Sequence, residues 1–259
     1  MLSIKISNIY AYRHTIWDTA IKQLNSRYAG SIMGIWLAIV NPLLIMLAVT
    51  FVFQVIFKVA IQRFFLFALA GIFPWLFFSN ALFEGAFSIL GQRSVLHQFS
   101  IPREIIPLSS VLSNFLNFLI GWCIVLPLFI IFNPGLILLI PLLVIVLLLN
   151  LIFTIGLVLS LSVLNVFFRD IGHIMGVLLM FWFWITPVFY TVDMVPAGFR
   201  WISYLNPMTP YITYYREVLF NAAIPSLPVF LGVFLWALVS LISGILIFWR
   251  LEPTLLKRM

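Results

Sequence analysis

Residues 105–168 read IIPLSSVLSNFLNFLIGWCIVLPLFIIFNPGLILLIPLLVIVLLLNLIFTIGLVLSLSVLNVFF, and no charged side chain interrupts them. The run is 64 residues long. One membrane crossing takes about 20 apolar residues, roughly 17–25 in practice, so this run holds two. A turn signal, Phe132-Asn133-Pro134-Gly135, divides it. Proline cannot continue a helix and glycine accepts the tight backbone of a turn. The halves, Ile105–Ile131 and Leu136–Phe168, are expected to cross in opposite directions.

Four more charge-free runs flank it: Tyr28–Phe57, Phe64–Phe83, Ile171–Val192 and Val218–Trp249. Each is 20–32 residues long. The expectation is therefore an all-α membrane protein of six transmembrane helices. Composition agrees. Of the 259 residues, 64% are hydrophobic and 8% charged, against about 45–50% and about 25% in a soluble domain. A chain this size cannot hide so many apolar side chains from water, so their solvent is lipid. The single cysteine, Cys123, excludes an internal disulfide and any Cys-x-x-Cys redox pair.

The formal charge of +7 comes from 14 basic residues spread between the apolar blocks. They form no patch for nucleic acid. Ten of them fall on one side: Lys5, Arg13, Lys22, Arg27, Arg93, Arg103, Arg169, Arg250, Lys257 and Arg258. Lys58, Arg63, Arg200 and Arg216 fall on the other. Cytoplasmic loops carry the excess of Lys and Arg, which places both termini in the cytoplasm.

Residues 1–28 have no apolar core and no small-residue cleavage site, so no signal peptide is expected. Instead Ile9, Tyr12, Ile16, Ala20, Leu24 and Tyr28 recur every three or four positions, with Arg13, Asp18, Lys22, Gln23 and Arg27 between them. That pattern is an amphipathic helix lying in the cytoplasmic interface. It divides the chain into an interface helix, 1–28, and a six-span transmembrane body, 29–259. It serves either as a surface anchor or as a strut for a cytoplasmic partner.

The external segment Asp193–Ile224 is too apolar for an ordinary loop, yet Pro196, Asn206-Pro207 and Pro210 break it. Two helical halves of about 10–15 residues would reach partway into a bilayer and return. A re-entrant helical hairpin at about 193–224 is expected, with a pair of interfacial helices as the other arrangement open to it. The adjacent Arg216-Glu217 reads as a solvated or internal ion pair.

No phosphate-binding loop, H-E-x-x-H or G-x-S-x-G motif is present. His14, His97 and His173 are scattered at cytoplasmic edges. Glu84 falls near the inner face, and the span centres carry almost no ionisable side chain, which argues against proton- or ion-coupled transport. The chain holds no catalytic residue set, metal cluster or cofactor motif. Arg169-Asp170-His173 is the one grouping that an enzyme acting on lipid-linked sugars would use. The aromatics are abundant: 27 Phe, 9 Trp and 8 Tyr. Most are expected to pack or face lipid; a minority would line a conduit, where aromatic faces meet the C–H faces of sugar rings. Asn41-Pro42, Ser79-Asn80, Asn114, Asn117 and Thr186-Pro187 mark helix faces buried in protein. Gly30-x-x-x-Gly34 and Gly172-x-x-x-Gly176 permit close helix approach.

Several blocks together resemble a known family. They are Arg27-Tyr28-Ala29-Gly30-Ser31-Ile32-Met33-Gly34-Ile35-Trp36 with Asn41-Pro42, then Gly71-Ile72-Phe73-Pro74-Trp75 with Phe77-Phe78-Ser79-Asn80. Asn165-x-x-x-Arg169-Asp170-Ile171, Thr186-Pro187-Val188 and Asn206-Pro207-Met208 through Tyr215-Arg216 follow in order. In sequence and spacing, from about Tyr12 to Trp249, the chain resembles permeases of the type-2 polysaccharide exporter family of ABC transporters. It is most similar to membrane subunits of O-antigen exporters; capsule and teichoic acid permeases carry similar blocks.

The resemblance implies a homodimer of six-span subunits in the bacterial inner membrane, joined by two copies of a separate ATPase that binds MgATP. The substrate it implies is an undecaprenyl-linked polysaccharide. It implies a cytoplasmic coupling loop at Gln92–Glu104, with Arg93, His97 and Arg103 against the ATPase and Arg169 and Asp170 in the second cytoplasmic turn. Conduit residues would be Trp36, Phe73, Phe77, Trp182, Trp184 and Tyr190. The lipid pyrophosphate would meet Arg27 or Arg93.

Overall fold

The computed structural model describes residues 11–29, 37–56, 58, 61–98 and 102–255. Among these residues every regular element is helical. The first helix, α1 (Arg13–Tyr28), is the amphipathic segment. Ala20 and Leu24 are buried while Arg13, Asp18 and Lys22 are exposed, the stripe that the sequence pattern dictates. α1 lies along α5 (Ile105–Phe132).

The first apolar run contributes α2 (Leu37–Thr50), which widens into a π turn at Phe51–Ile56. Residues 30–36, with Gly30, Gly34 and Trp36, lie outside the described residues. α3 (Phe64–Gly91) follows, then the short α4 (Arg93–Gln98) and α5. The turn at Asn133-Pro134 forms as expected, and a 3-10 segment, Pro134–Leu139, leads into α6 (Ile140–Phe167). α7 is Asp170–Ile185. After it come 3-10 turns at Val192–Met194 and Ala197–Phe199, then α8 (Arg200–Leu205) and α9 (Met208–Leu219). α10 (Leu227–Leu251) ends the described chain with a 3-10 turn at Glu252–Thr254.

Among the described residues, four stretches are long and apolar enough to cross a membrane: Phe64–Gly91, Ile105–Phe132, Pro134–Phe167 and Leu227–Thr254. Leu43–Ile56 and Asp170–Ile185 are shorter apolar helices. The fifth apolar run thus differs from its expected extent, Ile171–Val192. Its helix has 16 residues and stops at Ile185, because Pro187 disfavours helical backbone at Thr186 and has no N–H to donate. The last helix starts at Leu227 rather than Val218, since Val218 and Leu219 complete α9. The second runs on through Glu84 to Gly91, because the carboxylate at 84 turns to a partner described below.

α3 is the central helix, buried along most of its length by α5, α6, α7 and α9. In lipid, apolar area gives little drive for helix association; close packing and interhelical hydrogen bonds supply it. The tightest crossing is α6 on α10. A Cβ on Gly244 would stand 2.0 Å from the Gly156 carbonyl oxygen, and one on Gly156 would stand 2.3 Å from the Ser240 backbone. The Ser240 hydroxyl donates to the Phe153 carbonyl at 2.6 Å. Gly172 allows a similar approach, since its Cβ would meet the Phe87 ring at 2.5 Å.

The segment Asp193–Ile224 folds as two unequal helices broken at Asn206-Pro207. α8 is exposed at Trp201, Tyr204 and Leu205, whereas α9 is buried on nearly every side. α9 sits among α3, α6 and α10. Tyr211 donates to the Val233 carbonyl at 2.9 Å, and Asn150 donates to the Tyr215 hydroxyl at 3.5 Å. Its C-terminal carbonyls, Leu219 and Phe220, accept from the Asn133 side chain at 3.3 and 2.9 Å. Asn133 marks the turn between α5 and α6, so α9 runs from that end of the bundle into its interior.

Candidate functional site

Three clusters of polar side chains organise the helices. The first is where α1 meets α3 and α5. Arg27, the last basic residue of α1, donates to Glu84 Oε2 at 2.6 Å and to Asn114 Oδ1 at 3.2 Å. Asn114 donates in turn to Glu84 Oε2 at 2.8 Å and to the Ser110 carbonyl at 3.0 Å. Beside it, the Tyr28 hydroxyl donates to Asn117 Oδ1. The carboxylate therefore accepts two bonds from two helices. Arg27 and Glu84 are 25% and 44% exposed, so the pair lies at the edge of the bundle and is open to exchange.

The second cluster ties the loop between α3 and α5 to the end of α10. Arg103 donates to the Glu252 carbonyl at 2.5 Å, and the Trp249 indole donates to Glu104 Oε1 at 3.3 Å. Arg93 begins α4 and is exposed; the His97 side chain lies outside the described residues. Arg169 and Asp170, also exposed, open α7. What anchors them is Asn165, whose side chain accepts from the Gly172 N–H at 2.8 Å and donates to the Ala86 carbonyl at 2.9 Å. His173 is exposed, edge-on to the Phe87 ring.

The third cluster surrounds the reversal that follows α7. Asn206 accepts from the Trp182 indole at 2.8 Å and from the Met208 N–H at 3.0 Å, and it donates to the Thr186 hydroxyl at 2.8 Å. Arg216 reaches across from α9. It donates to the carbonyls of Pro187 at 3.0 Å, Val188 at 2.9 Å and Tyr190 at 3.0 Å. Its guanidinium carbon lies 3.7 Å from the centre of the Phe67 ring. Gly71 makes the space, since a Cβ there would stand 2.7 Å from the Val188 oxygen. Three sequence blocks far apart in the chain thus meet at one point.

This geometry corrects the reading of Arg216-Glu217 as an ion pair. Arg216 is 7% exposed and its bonds go to backbone oxygens. Glu217 turns the other way and accepts from the Ser226 N–H at 3.2 Å. Adjacent helical residues point about 100° apart, so neighbours in sequence do not face one another. The signal that was available is the broken backbone at Thr186-Pro187, whose carbonyls need donors inside an apolar bundle.

The aromatic residues expected at a conduit occupy different settings. Phe73 and Phe77 are each 4% exposed. Phe73 rests on Gly121 and lies against Phe118 and Trp122, while Phe77 stacks on Phe118 with centroids 4.9 Å apart. These two rings are packing elements inside the subunit. Trp182 is half-buried, edge-on to Phe78. Trp184 is 59% exposed, and its carbonyl accepts from the Tyr190 hydroxyl at 3.0 Å. Trp36 lies outside the described residues. α6, α7, α8 and α10 line an open apolar groove of about 890 Å³, with Trp182, Trp201 and Leu205 in its walls.

The sequence matches the family described as ABC-2 type transporter over residues 16–220. Among its relatives is a Klebsiella pneumoniae protein named O-antigen export system permease protein RfbA, 33% identical over 207 residues, which are 78% of this chain and 79% of the relative. A second Klebsiella pneumoniae protein of that name is 32% identical over 211 residues, with the same coverage. A Myxococcus xanthus protein, also so named, is 30% identical over 247 residues, 92% of this chain and 95% of its own length.

Proposed function

Because this chain belongs to the ABC-2 type transporter family, we propose that it is the channel-forming membrane subunit of an ATP-driven exporter of undecaprenyl-linked polysaccharide. O-antigen is the substrate favoured over capsule or teichoic acid. The observation that carries this reading is the near full-length match to a relative named as an O-antigen export permease. ATP would be hydrolysed on a separate chain, since no nucleotide-binding loop occurs in this sequence. Coupling is then mechanical.

The working assembly is a homodimer with two ATPase subunits in the bacterial inner membrane, each subunit crossing six times with both termini in the cytoplasm. The Leu43–Ile56 and Asp170–Ile185 helices would belong to the two remaining crossings, and α8 with α9 would form the re-entrant hairpin. Residues 1–28 act as the interface helix and 29–259 as the permease body. The exposed Arg93, Arg169 and Asp170, with His97, are the residues to press on the ATPase. Arg103 ties that contact to α10 through the Glu252 carbonyl. Arg27 and Arg93 meet the lipid pyrophosphate as the substrate enters. Trp36, Trp184 and Tyr190 offer rings to the glycan, with Phe73, Phe77 and Trp182 as the packed wall behind them.

Purification of the tagged chain from its native membrane in mild detergent tests the class. A stoichiometric ATPase with a phosphate-binding loop, and MgATP hydrolysis by the complex, is the expected result. A homodimer free of any ATPase would overturn the reading.

A further inference from the structure

We propose that Arg216 is a positioning residue that pins the broken end of α7 to the buried helix α9, so that these segments move as one body during transport. The transport role rests on the export reading above; the pin itself does not. The argument begins with the backbone. At Thr186-Pro187 the α7 ladder stops, and the following carbonyls have no helical N–H to accept from. Non-helical backbone inside a membrane protein is tolerated only where protein or water satisfies it. The Pro187, Val188 and Tyr190 oxygens each receive an Arg216 N–H at 2.9–3.0 Å. A guanidinium suits this task because its donors are fixed in one plane and fan outward, whereas an ammonium is a point charge on a flexible stem.

The charge is handled without a carboxylate. Among the described residues the salt bridge recorded is Arg27 to Glu84, and Arg216 has none. Carbonyl dipoles and the face of Phe67, 3.7 Å away, take the counter-charge role; such aromatic contacts strengthen when dry. Gly71 completes the seat, because any side chain there would collide with the Val188 carbonyl. The same reversal carries the exposed Trp184 and the half-buried Tyr190, joined by the hydrogen bond from the Tyr190 hydroxyl to the Trp184 carbonyl. Asn206 fixes the other end by holding Trp182 and Thr186. Tilting α7 therefore carries the rings and α9 together.

The test uses the full-length chain with its partner ATPase in native membranes. Cys123 is replaced by Ala, and a probe is introduced by Val188→Cys, a position 1% exposed. Freed carbonyls draw water, and a thiol reacts with a water-soluble methanethiosulfonate only where water reaches it. With Arg216 intact the probe should stay silent. Arg216→Lys, Arg216→Met and Gly71→Ala should each raise its labelling rate by about tenfold or more, the equivalent of one lost charge-assisted hydrogen bond. Gly71→Ala keeps the arginine and displaces the carbonyl, so agreement among the three locates the effect at the pin. Rapid labelling with Arg216 intact, or silence in folded Arg216→Met, overturns the pin. Export per ATP hydrolysed should fall by about tenfold in Arg216→Lys. Unchanged export per ATP in a variant whose probe is reactive overturns the positioning role. If the unsubstituted complex moves no glycan, the export reading fails while the labelling result stands.

Discussion

Two arginines show how differently this protein handles charge. Arg27, at the end of α1, is partly exposed and faces a carboxylate, Glu84, that is itself 44% exposed. Arg216 is buried and faces only carbonyl oxygens and one aromatic ring. The first contact is electrostatic and screened, since water and salt reach both partners. The second is geometric: it satisfies backbone that would otherwise be orphaned, and water cannot substitute for it. In the proposed exporter, a junction that meets a charged headgroup or a partner chain would gain from exchangeable bonds. A reversal proposed to hold rings in place would gain from permanent ones.

The larger effect is expected at Arg216. Replacing it with Met leaves three carbonyls without donors, at about 1–3 kcal/mol each, and the thermal midpoint of the detergent-solubilised protein should fall well below that of the parent. A midpoint equal to the parent's would mean that the reversal is held by other contacts. Glu84→Gln should act more gently. A partly exposed pair contributes about 0–1 kcal/mol, and the Gln side chain still accepts from Arg27, so the midpoint should barely move. The parent's own midpoint should decline slightly with added salt, and this salt effect should shrink in the variant. A loss as large as that of Arg216→Met would erase the distinction between the two sites.

How far the sequence alone reaches is clearest at particular residues. The stripe of α1 was legible because amphipathic period fixes which side is buried, and Ala20 and Leu24 are buried accordingly. The break at Asn206-Pro207 and the turn at Asn133-Pro134 were legible because proline chemistry is local. The stop of α7 at Ile185 was signalled by Thr186-Pro187 but masked by the apolar residues that continue to Val192, since hydropathy reports the solvent and not the backbone. The partners of Arg27 and Arg216 were not legible. Arg27 meets Glu84 across 57 residues and Asn114 across 87, and the Arg216 contacts run backward to carbonyls that carry no residue-type signature. Helix rotation was equally hidden. Phe73 and Trp184 both lie within charge-free apolar runs, yet one rests on Gly121 and the other is exposed.

If this chain is the export channel, lipid-linked glycan crosses the membrane when ATP is hydrolysed beside it. Inside-out vesicles containing the purified complex, supplied with radiolabelled undecaprenyl-linked polysaccharide and MgATP, measure this directly. Glycan protected in the vesicle lumen, dependent on MgATP and lost when the ATPase is catalytically silenced, is the predicted result. Glycan that stays accessible while ATP is consumed at full rate would contradict it.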